Sequence, residues 1–125
     1  MIKGIHHISM KCGSDEEFSK VKEFYISLLG LTICRDWTNG IMIDTGNGYI
    51  EIFTHAEGEH RPGAIRHVAL LTDDVDEIID KVKANGYEVF VEPNNKVIES
   101  NPPFRFRMAF CFGPLGEQIE FFCEK

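Results

Sequence analysis

At 125 residues the chain has the length of one domain, and 43% apolar content with ten Phe residues is enough to bury a core. A formal net charge of −7 argues against a general affinity for nucleic acid or an anionic membrane. No apolar run could span a bilayer, the start MIKGIHH lacks the apolar core of a secretory signal, and Cys12, Cys34, Cys111 and Cys123 without CxxC spacing read as free thiols of a cytoplasmic protein.

In chain order, IHHISMKC (5–12) reads as a strand and SDEEFSKVKEFYISLLG (14–30) as a helix. Ser14 and Glu17 have the spacing of a capping box. Phe18, Val21, Tyr25 and Leu28 recur on one helical face, and Gly30 suits the left-handed residue that ends a helix. LTICRDW (31–37), GIMID (40–44) and YIEIF (49–53) are short strands rich in β-branched and aromatic residues, the last two joined by the turn TGNG.

After the polar stretch THAEGEHRPG (54–63) the order repeats. IRHVALL (65–71) is a strand, and DDVDEIIDKVKANG (73–86) is a helix with Ile78, Ile79 and Val82 inward and Gly86 as its stop. YEVFVE (87–92), FRFRMAFCF (104–112) and EQIEFF (117–122) are the following strands, the last two joined by GPLG. His7 matches His67, Gly30 matches Gly86 and Glu51 matches Glu120, at offsets of 60, 56 and 69 residues. Such offsets mean two copies of one βαβββ unit with unequal loops, about 1–56 and 63–125, making one α+β domain.

The duplication singles out four side chains. A lone strand His is most often a core residue bonded to a backbone carbonyl, and a lone strand Glu a solvated one. A His in the first strand and a Glu in the last strand of both copies point instead to a shared site. Two imidazoles and two carboxylates suit a divalent first-row metal, and a strand can deliver one ligand from alternate positions to a common face. Period-2 parity selects His7 over its neighbour: His6 aligns with Arg66 and faces outward or supports His7. His55 and His60, in or beside the polar loop, read as solvent-exposed.

The paired units, together with HHISMKC, RHVALLTDDVDE, YIEIF and GPLGEQIEFF, resemble the vicinal oxygen chelate superfamily over essentially the whole chain. That superfamily includes glyoxalase I, methylmalonyl-CoA epimerase, fosfomycin-resistance thiol transferases, extradiol dioxygenases and bleomycin-binding proteins. GPLGEQIEFF is similar to its D-P-x-G-x-x-[IV]-E-[LF] hairpin, with Gly113 in place of Asp. The resemblance implies a cupped, partly closed mixed sheet with helices outside, and His7, Glu51, His67 and Glu120 as metal ligands. A four-ligand set with Glu at both positions is most similar to glyoxalase I, a lyase of the lactoylglutathione type. That enzyme converts a thiol–methylglyoxal hemithioacetal to a lactoyl thioester.

By the same resemblance Glu120 is the proton-transferring base, with Glu51 its counterpart. Glutathione-dependent relatives often carry Arg four residues after the first-strand His; this chain departs from them with Lys11, a candidate substrate-binding residue. The short chain favours Ni²⁺ or Co²⁺, with Zn²⁺ able to intrude. A homodimer with sites at the subunit interface is implied, weakly supported by the Phe-rich second half. The alternatives are epimerase-like proton transfer on a thioester such as methylmalonyl-CoA, and a resistance protein that binds a small molecule without turnover.

Two expectations come from the loops and the last hairpin. THAEGEHRPG (54–63) and PNNKVIESNPP (93–103) are candidate substrate lids or plain connections. If Phe112 and Glu117 flank the GPLG turn, Glu120 lies opposite Ala109. Arg105 and Arg107 then share the metal face and could bind an anionic part of the substrate, while Phe104, Phe106, Met108, Phe110 and Phe112 pack under the helices.

Overall fold

The computed structural model describes residue 1 and residues 5–57, 60, 63, 65, 67–100 and 102–125. Contacts divide the chain into two compact units, Met1–Glu59 and His60–Lys125. Gly4, Ala64, Arg66 and part of the 54–63 stretch lie outside the described residues.

The N-terminal unit runs β1 (His7–Lys11), α1 (Asp15–Lys22), a π-helical segment (Glu23–Leu28), β2 (Thr32–Trp37), β3 (Gly40–Asp44) and β4 (Tyr49–Phe53). Its sheet has the order β1-β4-β3-β2, with β1 parallel to β4 and the other pairs antiparallel. The capping box forms in a shifted version. Ser14 Oγ accepts from Glu17 N–H, while the Glu17 carboxylate accepts from Gly13 N–H rather than from the cap residue itself.

The expected continuous helix 14–30 widens at Glu23, where Leu29 N–H reaches back to Phe24 C=O. The wider turn brings Phe24 inward, so the buried stripe is Val21, Phe24 and Tyr25. Gly30 closes the segment at φ +72°, as expected. Ile41, Ile43, Ile50 and Ile52 are buried and cross-paired on one face of the sheet; Met42 and Glu51 pair on the other.

The C-terminal unit runs β5 (Val68–Leu71), α2 (Val75–Ala84), β6 (Val89–Ile98), β7 (Phe104–Phe112) and β8 (Gln118–Glu124), with sheet order β5-β8-β7-β6. Here too the first strand is parallel to the last and the remaining pairs are antiparallel. Asp74 caps α2 by accepting from Glu77 N–H. Helix α2 lies against β6, β7 and β8. Val75, Ile79 and Val82 of the helix are buried, as are Ala109, Cys111, Ile119 and Phe121 of the sheet. Two tandem βαβββ modules in an α+β fold are therefore present as read from the sequence.

Two local readings are corrected. PNNKVIESNPP is not an irregular loop: residues 93–98 belong to β6 and pair with β7 as far as Ile98↔Phe104. Pro93 sits where the pairing shifts between Val91 and Asn94, a bulge that needs no ladder N–H from it.

The last hairpin is also one residue out of the expected register. Phe112 pairs with Gln118, so the loop takes five residues, Gly113 to Glu117. Gly113 N–H donates to Glu117 C=O at 2.8 Å, and the Glu117 carboxylate folds back to accept from Leu115 N–H at 2.7 Å. A Cβ at position 113 would meet that carboxyl group, so any larger residue there would make the Glu117 side chain swing aside.

Candidate metal centre

Each unit builds a His–Glu pair by the same construction. In the N-terminal unit Ser9 lies directly opposite Glu51 across the parallel β1–β4 ladder, and His7 lies two residues before Ser9 on the same face. His7 Nε2 stands 3.7 Å from Glu51 Oε1, and Ser9 Oγ donates to that oxygen at 2.9 Å. In the C-terminal unit Ala69 lies opposite Glu120 across β5–β8, and His67 precedes Ala69 by two. With no hydroxyl there, His67 Nε2 closes to 3.0 Å on Glu120 Oε2.

The second pair is also the drier. The His67 and Glu120 side chains are 29% and 11% exposed, against 38% and 16% for His7 and Glu51. Phe110, opposite Glu120, meets the His67 ring edge-on at 5.1 Å. The outer nitrogens differ as well: His7 Nδ1 lies 2.9 Å from His6 Nδ1, whereas His67 Nδ1 is buried without a hydrogen-bond partner among the described residues.

These donors fit a divalent metal. Two ligands at about 2.1 Å from one ion, set at right angles to tetrahedral angles, stand roughly 3.0 to 3.4 Å apart. The 3.0 Å pair falls in that range, and the 3.7 Å pair needs a small rotamer adjustment. Each unit by itself offers two ligands; among the described residues no three His, Cys, Asp or Glu side chains gather as a metal site.

The expected anion-binding arginines are not on the Glu120 face. The five-residue turn puts Phe110 opposite Glu120, so Phe104, Phe106, Met108, Phe110 and Phe112 share that face, and Ala109 and Cys111 turn to α2. Arg107 lies on the helix side, where its guanidinium donates to both carboxylate oxygens of Asp76 at 2.6 Å and to Asn95 Oδ1 at 3.2 Å. That hydrogen bonding holds the Asp76 carboxyl below its usual range. Arg105, two residues back on the same strand, is exposed and shares Arg107's parity. Lys11 does share the Glu51 face, and its Nζ donates to Glu57 C=O at 2.7 Å. His55, exposed as expected, meets Asp15 at 2.9 Å.

His6, expected to face outward or to support His7, meets His7 Nδ1, whereas the contact of Ser9 is not anticipated from sequence. Ser9 was open to reading: parallel pairing of the first and last strands of a βαβββ unit places some residue beside Glu51, and a hydroxyl there has a carboxylate to meet.

The chain matches the Glyoxalase/Bleomycin resistance protein/Dioxygenase superfamily over residues 4–121, and it belongs to that superfamily. Solved structures of similar fold agree. A putative glyoxalase family protein from Bacillus anthracis is 22% identical, with a TM-score of 0.71 over 100% of this chain and 98% of that one. A glyoxalase family protein from Enterococcus faecalis is 23% identical, with a TM-score of 0.71 over 96% and 97%. A glyoxalase/bleomycin resistance protein/dioxygenase from Nocardioides is 18% identical, with a TM-score of 0.72 over 99% and 85%. No curated protein matches closely enough to count as a relative. Among the described residues no helix is long and apolar enough to cross a membrane.

Proposed function

We propose that the chain is a metal-dependent lyase of the glyoxalase I type. It would isomerise the hemithioacetal of methylglyoxal and a small thiol to a lactoyl thioester, with His7, Glu51, His67 and Glu120 as ligands. The observation that carries this reading is the duplicated His–Glu pair, formed in both units with the His two residues before the residue opposite the Glu. Binders without chemistry have no need of two such pairs. When bound, a divalent ion such as Ni²⁺, Co²⁺ or Zn²⁺ supplies Lewis acidity toward two adjacent substrate oxygens.

The rest is done by this chain's carboxylates. Glu120 takes the proton from the carbon beside the carbonyl and returns it to the neighbouring carbon. Its low exposure keeps bulk water from exchanging that proton. Glu51, held by Ser9, stays in place as a ligand. Phe106, Phe110 and Phe122 give the Glu120 side an apolar surface suited to the uncharged parts of the substrate. Lys11, which shares the Glu51 face, is the proposed contact for an anionic part of the substrate. A homodimer, in which pairs from two chains could complete each site, belongs to the same reading; a monomer mass by light scattering at micromolar concentration would refute that part.

The test is direct. The purified protein is assayed for bound metal and for turnover of methylglyoxal with glutathione or another small thiol. Metal-dependent formation of a lactoyl thioester is expected. Turnover of methylmalonyl-CoA instead would reassign the protein as an epimerase, and turnover of neither would favour sequestration.

A further inference from the structure

We propose that His6 is a positioning residue that fixes the His7 ring with its proton on Nδ1, leaving the Nε2 lone pair free for a metal; the inference rests on reading His7 as a ligand. The two Nδ1 atoms lie 2.9 Å apart, with the rings nearly perpendicular at 87°. One nitrogen of such a contact must carry the proton and the other accept it. If His6 donated, His7 would carry its proton on Nε2, where it faces Glu51 across 3.7 Å, too far for a hydrogen bond. Donation from His7 Nδ1–H to His6 Nδ1 satisfies the 2.9 Å contact and leaves an unprotonated Nε2 on the carboxylate side.

His6 is itself held in place to accept. Its carbonyl receives the Tyr49 N–H at 3.1 Å, and its ring packs against the Tyr49 ring at 5.0 Å. The second unit provides the contrast. His67 Nδ1 is buried with no partner among the described residues, and Nε2 is 3.0 Å from Glu120, the arrangement that keeps the proton on Nε2. The residue aligned with His6 is Arg66, whose side chain has donors only and could not accept from an Nδ1–H. The two histidines therefore rest in opposite tautomers: His7 ready to ligate, His67 hydrogen-bonded to the carboxylate that acts as base.

Long-range ¹⁵N–¹H spectra of the metal-free full chain, at a pH where both rings are neutral, read this directly. The wild type is expected to show His7 protonated on Nδ1, His6→Phe to shift it to the Nε2–H form, and His6→Asn, whose amide oxygen can accept, to restore Nδ1–H. Nickel affinity, measured by chelator competition, should fall about 10-fold in His6→Phe and recover in His6→Asn. A wild-type His7 protonated on Nε2, or a tautomer unmoved by His6→Phe, overturns the proposal. Absence of nickel binding by the wild type would overturn the metal reading, while the spectra alone would still support or overturn the role of His6.

Discussion

The N-terminal and C-terminal units carry the same pair of side chains at matching places, His7 in β1 and Glu51 in β4, His67 just before β5 and Glu120 in β8, yet they hold them differently. Glu51 has Ser9 opposite it and stands back from His7; Glu120 has Ala69 opposite it and closes on His67. His7 has a polar neighbour at Nδ1, and His67 has a phenyl ring and an Nδ1 without a partner among the described residues. The comparison teaches that duplication copies backbone register first. The roles of the copied residues then diverge through one or two neighbours. On the proposed reading, the hydroxyl that fixes Glu51 suits it to stay as a ligand, and the lack of one at Glu120 suits that carboxylate to move a proton.

The largest expected effect tests that division. Glu120→Gln should lower kcat by about 10²- to 10⁴-fold, the usual worth of a general base, while metal content stays close to wild type. Glu51→Gln should weaken metal binding more than it lowers kcat. Equal losses of kcat in the two variants would erase the distinction between the pairs.

A second prediction probes the register of the C-terminal sheet. Cys111, on the α2 side of that register, is fully buried, and burial pushes its thiol from 9.0 up to about 12. A thiol whose folded value is raised stays neutral while the unfolded chain ionises. Its contribution is therefore intact below pH 9 and is lost as pH rises toward 12. Denaturant unfolding should show stability falling above pH 9, and Cys111→Ala should flatten that slope. An unchanged slope would show that Cys111 does not face the core.

Exchanging the neighbours of the two carboxylates should have smaller effects. Ala69→Ser offers Glu120 the hydroxyl that Glu51 has, and one hydrogen bond of about 1 kcal/mol in competition with His67 should lower kcat about fivefold. Ser9→Ala should weaken metal binding by a similar factor, with kcat less affected. Opposite outcomes in steady-state and metal-titration assays would show that the hydroxyl does not decide the roles.

The smallest effect concerns Arg107. Because it pairs with Asp76 on the helix side, Arg107→Ala should leave KM for an acidic thiol adduct unchanged. The Asp76 carboxyl is held low by that hydrogen bond, so its contribution is present above the ordinary aspartate value of about 3.9 and is lost as pH falls through the lower folded value. Wild type and variant should therefore differ slightly in melting temperature at pH 7 and converge in strong acid. A large rise in KM would return Arg107 to the substrate.

Sequence by itself determined what repeats and alternates: the two βαβββ modules, the Ser14 cap and Gly30 stop, and the parity that sets Glu51 apart from the buried Ile50 and Ile52. These are local, because strand parity, capping and left-handed glycines depend on residues a few positions apart. Tertiary structure decided whatever turns on a single residue of offset or on a neighbour distant in sequence. The Glu117 carboxylate folded over Gly113 lengthens the last turn by one residue, and one residue is enough to exchange the Phe face for the Arg face. Pro93 reads as a strand breaker until a bulge absorbs it. Ser9 and Glu51 are 42 residues apart and meet only because β1 lies parallel to β4. A period-2 structure turns every unit of register into a change of face, so the two His–Glu pairs were legible while the company they keep was not.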